Sequence, residues 1–334
     1  MTEVFVHSRA WQLLTMLADG EFHSGEVLAR QLGVSRASVF NALAKVGEHN
    51  VELHRIRGRG YRLARPWQRL QRDEVAHRLG DEAAQFDIEI LPQAESSNTL
   101  LLQRARLDEA SGGARSGSVV AVELQTAGRG RMGRVWHSGL GTALTFSLLW
   151  RFACGLNALS GLSLAVGVAQ VRALNRLGAR GVCLKWPNDI MTTQGKLGGV
   201  LLEAQGDLLG PSTVVIGIGL NFTLPHELVR RIDQPSCALD DICSVMPSRS
   251  QLLASMLLEL ACVLRQFEQG GFALLRKEWE GYHIHQGYEI RLKMPDDSNV
   301  NGIARGVNDS GELCLETPRG VKYFNSGEVT VVAR

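Results

Sequence analysis

The residues from Gly128 to Ser138, GRGRMGRVWHS, force a choice between two folds. Gly128, Gly130 and Gly133 have the G-x-G-x-x-G spacing of the turn that receives a pyrophosphate in a dinucleotide-binding domain. That fold needs a helix starting at the turn and a carboxylate about twenty residues further on. The turn leads instead into VWHSGLGTALTFSLLW, with the alternation and the β-branched and aromatic content of a strand, and no acid lies near Ala153. The spacing therefore predicts a flexible loop feeding a strand and sets the Rossmann fold aside.

Arg129, Arg131 and Arg134 give this loop planar forks suited to carboxylate and phosphate. Two anions about 4 Å apart repel by about 4 kcal/mol at an effective dielectric near 20, so a site joining a carboxylate to a nucleotide phosphate needs several cations. Downstream, VCLKWPNDIM reads as a short buried strand and a turn, with Asn188 and Asp189 able to accept hydrogen bonds or meet a hard cation. GKLGGVLLEAQG is a strand entered through Lys196, and VVIGIGLNF repeats the device with Gly217, Gly219 and Asn221. Taken singly, each reads equally as a hairpin turn, a packed strand or a site. Together, behind an arginine loop, they point to a site.

The first 66 residues form a different pattern. Apolar residues recur at helical spacing from Trp11 to Leu17, and Asp19-Gly20 ends the run. Ser24 caps a second helix with Val27, Leu28 and Leu32 as its inner face and Gly33 as its stop, and Ser35 caps a third helix a short turn later. This is the helix-turn-helix pattern. The next segment, VELHRIRGRGYRLARP, reads as a β-hairpin in which Arg55, Arg57, Arg59, Arg62 and Arg65 face only Glu52. The basic hairpin suits DNA phosphates, or else is a solvated wing on a protein-interaction module. With Val39, Leu43 and Val46 turned inward, Ser35, Arg36, Ser38, Asn41 and Lys45 of the third helix and Arg57 and Arg59 of the hairpin are the candidate DNA contacts. Phe40 and Ala42 stand where polar groove-facing residues are expected.

A chain of 334 residues is long enough for two or three cores, and 36 Lys and Arg against 34 Asp and Glu leave no overall pull toward nucleic acid. Any such affinity must be local. Cys154, Cys183, Cys237, Cys243, Cys262 and Cys314 form no C-x-x-C pair, which predicts reduced thiols and a cytoplasmic setting. The start lacks the charge and apolar pattern of a signal peptide, and no run reaches the roughly 20 apolar residues of a membrane span. Amphipathic helices are expected from Ala254 to Phe267 and over FALLRKEWEGY, with Trp279 in the core. From residue 284 the tail reads as short strands with a turn at Asn308 to Gly311, and His283 and His285 are expected on opposite faces of a strand, so neither is read as a metal ligand.

GRGRMGRVW, KWPND, KLGGVLLE and GIGLNF occur in the order and at about the spacing found in biotin protein ligases, and the chain resembles that family over nearly its whole length. The amino-terminal pattern resembles the winged helix of the bifunctional bacterial type that also represses the biotin operon. The resemblance implies an α+β multidomain protein: a winged helix-turn-helix at 1–66, a mixed α/β ligase domain at 67–283 and a small SH3-like β-barrel at 284–334. It implies formation of biotinyl-5'-adenylate from biotin and ATP, then transfer of biotin to a lysine of the biotin carboxyl carrier protein.

Residue by residue, Ser96, Ser97 and Asn98 match the family's Ser-Thr-Asn, with Ser97 in place of Thr, and Gln125 matches its biotin-pocket glutamine. For Ser96 and Ser97 alone a helix cap is the plainer reading. Gly128, Arg129, Gly130 and Arg131 resemble the loop that closes over biotin and the adenylate. Arg134 resembles a pyrophosphate contact and Trp136 the platform for adenine, against the alternative of a core tryptophan. Lys185, Asn188, Asp189 and Asn221 fall on the ATP side, with Asp189 toward Mg²⁺. Lys196, with Arg129 and Asp189, is the catalytic candidate, and Gly199 and Gly217 let the ligand lie against the sheet. The resemblance also implies operator DNA as a partner and a homodimer when the adenylate is bound. A biotin sensor without catalysis and a lipoate ligase are the alternatives.

Overall fold

In the computed structural model, which describes residues 8–44, 46, 51–107 and 113–331, three short helices open the chain. Helix α1 (Arg9–Met16) begins where the Ser8 hydroxyl accepts the Trp11 N–H, and α2 (Gly25–Leu32) where the Ser24 hydroxyl accepts the Val27 N–H. Gly33, at φ 64°, stops α2. Ser35 Oγ then accepts the Ser38 N–H at 3.1 Å at the head of α3 (Arg36–Ala44). Each cap satisfies a donor the helix start leaves unpaired, worth about 1 kcal/mol. Leu13, Leu17, Leu28, Val39, Leu43 and Val46 pack with Tyr61 and Leu63 of a two-stranded hairpin, β1 (Leu53–Ile56) and β2 (Gly60–Leu63). Val27, expected to face inward, is 39% exposed, and Ala29 takes its place. One residue before Leu28, a side chain points about 100° away around the helix.

The second unit begins with α4 (Arg72–Leu79), β3 (Asp87–Ala94), α5 (Ser97–Ala105), β4 (Ser118–Gln125), β5 (Ala143–Phe152) and α6 (Leu162–Arg176). It continues through β6 (Cys183–Lys185), β7 (Asp189–Thr192), β8 (Gly195–Gly206), β9 (Ser212–Asn221), α7 (His226–Val229), α8 (Arg249–Gly270) and α9 (Arg276–Tyr282). Its seven strands lie in the order β3-β4-β5-β9-β8-β7-β6, and within it β3 and β4 run parallel while the other pairs are antiparallel. The strand expected directly after the arginine loop starts only at Ala143. Before it, Val135 bridges back to Arg129, and Gly141, at φ 69°, turns the chain.

Cross-strand partners share a face, so the sheet has two distinct sides. Phe146, Leu148, Val200, Ile216 and Ile218 meet α6 and α8 in the main core. On the other side α5 covers Val120, Leu149 and Val215. Next to that cover, Ser147 pairs with Gly217 and Gly217 with Leu201, while Thr145 pairs with Gly219 and Gly219 with Gly199. Three glycines side by side remove the side chains that would otherwise fill this region.

Trp67 ties the first unit to the sheet. It packs edge-on against Trp11 with centroids 5.0 Å apart, and its Nε1 donates to Glu123 Oε2 at 3.2 Å. Glu123, 4% exposed, is ion-paired to Arg249, 1% exposed, and Arg249 also donates to the Gln68 and Ala143 carbonyls.

The third unit is a five-stranded antiparallel sheet of β10 (Glu289–Lys293), β11 (Asn299–Val307), β12 (Leu313–Thr317), β13 (Gly320–Phe324) and β14 (Glu328–Val331), ordered β13-β12-β11-β10-β14. Ile290, Leu292, Leu313 and Val329 join the main core. His283 and His285 do not lie on a strand with opposed faces: a single bridge from His283 to Leu184 is followed by a turn, and the two buried rings meet edge-on with centroids 6.1 Å apart. Burial pushes both imidazoles down to about 4. Among the described residues no helix is long and apolar enough to cross a membrane, and the six cysteines are free thiols.

Candidate active site

A cavity of about 670 Å³ opens on the glycine-bearing side of the sheet. Its ammonium group arrives there through an irregularity of pairing. Ile190 pairs with Gly198 but Met191 pairs with Lys196, so Leu197 is an extra residue in β8. The bulge shifts the strand's alternation by one and brings Lys196 onto the side of Gly199. Lys196 Nζ then lies 2.6 Å from Asp189 Oδ1, each side chain about one-sixth exposed (16% and 17%).

Lys185 and Arg131 stand beside this pair. Burial draws the Lys185 ammonium below its ordinary pKa, with Lys196 and Arg134 adding to the effect against Asp189 and Glu328. Burial likewise lowers the Arg131 guanidinium. Both cations are short of counter-charge, and an arriving anion would relieve that shortage.

The opposite end of the cavity is neutral and closely hydrogen-bonded. Ser96 caps α5 by accepting the Thr99 N–H, and the Ser97 N–H donates to Gln125 Oε1 at 2.8 Å. Asn98 lies over Gly217, where a Cβ would collide with its amide, and its Nδ2 donates to Glu203 Oε2 at 3.0 Å and the Leu201 carbonyl at 3.3 Å. Ser147, fully buried, donates to Asn98 Oδ1 at 2.5 Å and lies 2.7 Å from Ser97 Oγ.

The arginine loop covers the middle. Arg129 Nη2 meets Glu203 Oε1 at 2.7 Å and its Nη1 donates to Thr99 Oγ1 at 3.0 Å. Arg131 Nη1 donates to Asn188 Oδ1 at 3.2 Å, and Arg134 is ion-paired to Glu328 of β14. Trp136, half-buried, packs on Gly219 so closely that a Cβ there would be 2.6 Å from Cε2. The indole Nε1 is buried without a hydrogen-bond partner among the described residues.

Ser96, Ser97, Asn98, Gln125, Arg129, Gly130, Arg131, Arg134, Trp136, Lys185, Asn188, Asp189, Lys196, Gly199, Gly217 and Asn221 all line this one cavity. Gly128 sits behind the lining, where a side chain would strike the Trp136 carbonyl. Asn221 spends its Nδ2 on the Lys196 and Cys237 carbonyls, and what lies against Gly217 is Asn98. Sequence reading passed over Ser147, Glu203, Glu328 and the segment 231–236, which also lines the cavity. Only the lone carboxylates of Glu203 and Glu328, each on a strand, could have signalled the arginines' partners.

For a divalent cation the donor set is thin. Asn188 Oδ1 serves Arg131, Asp189 Oδ1 serves Lys196, and no group of three or more His, Cys, Asp or Glu residues gathers among those described. Such a set would suit Mg²⁺ that keeps most of its ligands from phosphate and water, with Asp189 the carboxylate beside Lys196.

On the first unit, Ser35, Arg36, Asn41, Arg57 and Arg59 are exposed and Ser38 half-buried, while Lys45 lies outside the described residues. Phe40, 41% exposed, lies under Arg55 at 4.5 Å, and Phe22 under Arg59 at 4.3 Å and Arg62 at 4.9 Å.

The chain and its fold have counterparts among known proteins. The biotin/lipoate A/B protein ligase family matches residues 91–221, a biotin protein ligase C-terminal domain residues 285–332 and a helix-turn-helix domain residues 9–62. The chain is 34% identical over 319 residues to the bifunctional ligase/repressor BirA of Salmonella typhimurium, covering 96% of each chain. It is 33% identical over 320 residues to BirA of Escherichia coli, again with 96% of each covered. Among solved structures, the biotin protein ligase from Aquifex aeolicus in complex with biotin and ATP aligns with a TM-score of 0.61 at 25% identity, over 74% of this chain and 99% of that one.

Proposed function

The chain belongs to the biotin/lipoate A/B protein ligase family, in its bifunctional ligase/repressor branch, and from that premise we propose how its residues divide the work. It is an ATP-dependent biotin protein ligase and a repressor. The observation that carries the assignment of roles is that Lys196, with Asp189, Lys185 and Arg131, shares one cavity with the neutral Ser97–Gln125 end. A molecule with a urea-like head and a carboxylate tail matches both ends.

Gln125 Oε1 is occupied by the Ser97 N–H, so Nε2 is the amide's donor end and suits a ureido carbonyl. Ser96, Ser97 and Asn98 complete that pocket. Lys196 stands between the biotin carboxylate and the α-phosphate. It offsets their repulsion as a carboxylate oxygen attacks phosphorus and pyrophosphate departs. Lys185, Asn188 and Arg134 hold phosphates, and Asp189 would help to hold Mg²⁺, which would supply charge neutralisation there. Asn221 keeps Lys196 in place through its carbonyl, and Trp136 offers a face to adenine.

Gly128, Gly130 and Gly133 let the loop carrying Arg129 and Arg131 close over the mixed anhydride and exclude water. The acceptor lysine of the biotin carboxyl carrier protein then attacks the acyl carbon and AMP leaves. The protein works in the cytoplasm, binds operator DNA through α3 and the basic hairpin, and does so as a homodimer when the adenylate is bound. Incorporation of labelled biotin into a carrier domain, with lipoate as competitor, tests the ligase roles. Incorporation that survives the loss of Lys196, or that lipoate suppresses, would overturn them.

A further inference from the structure

Helix α3 carries an exposed apolar stripe. Ala37, Phe40 and Ala44 are exposed at the i, i+3, i+7 spacing of one helix flank, while Val39 and Leu43 are buried in the core of the first unit. Phe40 is 41% exposed, and the guanidinium carbon of Arg55, on β1, lies 4.5 Å from its ring centroid. We propose that Phe40 is a specificity-determining residue of the repressor: its ring meets the 5-methyl group of a thymine in the major groove, and Arg55, stacked on it, meets a phosphate beside that base. The proposal rests on the reading of α3 and the basic hairpin as the DNA-binding surface.

The charge around the stripe says what covers it. The ion pairs of this unit among the described residues are His23–Asp19, Arg30–Glu26 and Arg65–Asp240, and none of them takes up Arg36, Arg55, Arg57, Arg59 or Arg62. Guanidinium groups left without counter-charge on α3 and the hairpin suit a polyanion, within the segment that matches a helix-turn-helix domain. In the major groove, adenine, guanine and cytosine present amino, carbonyl and ring-nitrogen groups that a phenyl ring would leave unpaired. Thymine alone adds a methyl group. An apolar side chain reaching the base edges from α3 therefore selects thymine, and burying one methyl strengthens binding by about fourfold. The negative face of a bare ring would repel a nearby phosphate. Arg55 covers such a face with a cation, and the edges of a stacked guanidinium stay free to donate.

The base contact and the phosphate contact sit on different residues and are separable. Deoxyuridine in place of thymidine removes only the 5-methyl group and keeps the base pair and the backbone. Phe40→Ala and Phe40→Gln remove the ring from an exposed position and leave the core residues in place, whereas Arg55→Ala removes the cation and leaves the ring.

The test uses the full chain with biotin and ATP. Binding duplexes are selected from a random-sequence pool, and each thymine of the enriched site is replaced in turn by deoxyuridine in fluorescence-anisotropy titrations. The wild-type protein is expected to lose about 3- to 10-fold in affinity at one thymine of each half-site. Phe40→Ala and Phe40→Gln should bind the parent site more weakly by a similar factor and lose that methyl dependence, while incorporating biotin into a carrier domain at the wild-type rate. Arg55→Ala should keep the methyl ratio within about twofold and reduce the salt slope by about one. A deoxyuridine penalty that persists in Phe40→Gln would overturn the proposal. So would equal weakening of both Phe40 variants on selected and random duplexes, which would make the ring a prop for the hairpin. An unaltered salt slope in Arg55→Ala would remove the phosphate contact. An enriched site without a Phe40-dependent methyl effect defeats this proposal alone, whereas a pool from which no duplex is enriched defeats the reading of α3 as a sequence-specific DNA reader with it.

Discussion

Lys196 and Asp189 form a close ion pair on the open side of the sheet, 2.6 Å apart, although the strand alternation before the Leu197 bulge would send Lys196 to the other side. An ammonium held by one carboxylate beside under-compensated Lys185 and Arg131 is poised for a further anion. Lys196→Gln should therefore slow adenylate formation by about 10²- to 10³-fold, the cost of losing one preorganised electrostatic stabiliser. Biotin-dependent pyrophosphate exchange should show that loss while a biotin binding titration changes far less.

Arg129 closes the loop onto Glu203 and Thr99. Arg129→Gly should release the adenylate on the order of tenfold faster, one lost charged hydrogen bond being worth about 1.5 to 3 kcal/mol. A chase of labelled adenylate with unlabelled biotin and ATP reads this directly, and an unaltered release rate would remove the loop from the account.

Glu123 and Arg249 are both buried and each is the other's counter-charge. Arg249→Met alone should cost about 3–5 kcal/mol by stranding the carboxylate, and Glu123→Leu with Arg249→Met should recover much of it. Urea denaturation of the two variants and the wild-type protein gives the answer.

His283 and His285 are held near pKa 4, below the ordinary 6.5. The unfolded chain binds more protons between those values, so stability is complete above about pH 6.5 and falls as pH drops toward 4. Thermal melts at successive pH values should show this acid loss, and His283→Asn with His285→Gln should flatten it.

Arg57 and Arg59 are exposed on the hairpin. Replacing either by Ala should weaken operator binding about equally across sequences and reduce the salt slope by about one, whereas Asn41→Ala should relax selectivity at one base. Titrations of operator and scrambled duplexes at several salt concentrations separate the two behaviours.

Much of this site was legible because its cations and glycines lie in short, local runs: the arginine loop, Lys185 to Asp189, and Lys196 with Gly199. The helix caps at Ser24 and Ser35 were legible for the same reason. Ser147 and Glu203 were not, since they reach Asn98 from 49 and 105 residues away, through a sheet register that periodicity does not encode. The Leu197 bulge is likewise a property of pairing between strands. Val27 was misread because helical spacing does not fix which residues begin the inner face, and the histidines because residues two apart on a strand share a face and here no strand forms.

Gly327, Glu328, Val329 and Thr330 line the cavity, and Glu328 clasps Arg134 nearly two hundred residues upstream (a separation of 194). That wall belongs to the third unit and is synthesised after the seven-stranded sheet that carries the rest of the site. A nascent chain can fold its sheet and bulge and still hold an unfinished chamber, which closes only once β14 has been made.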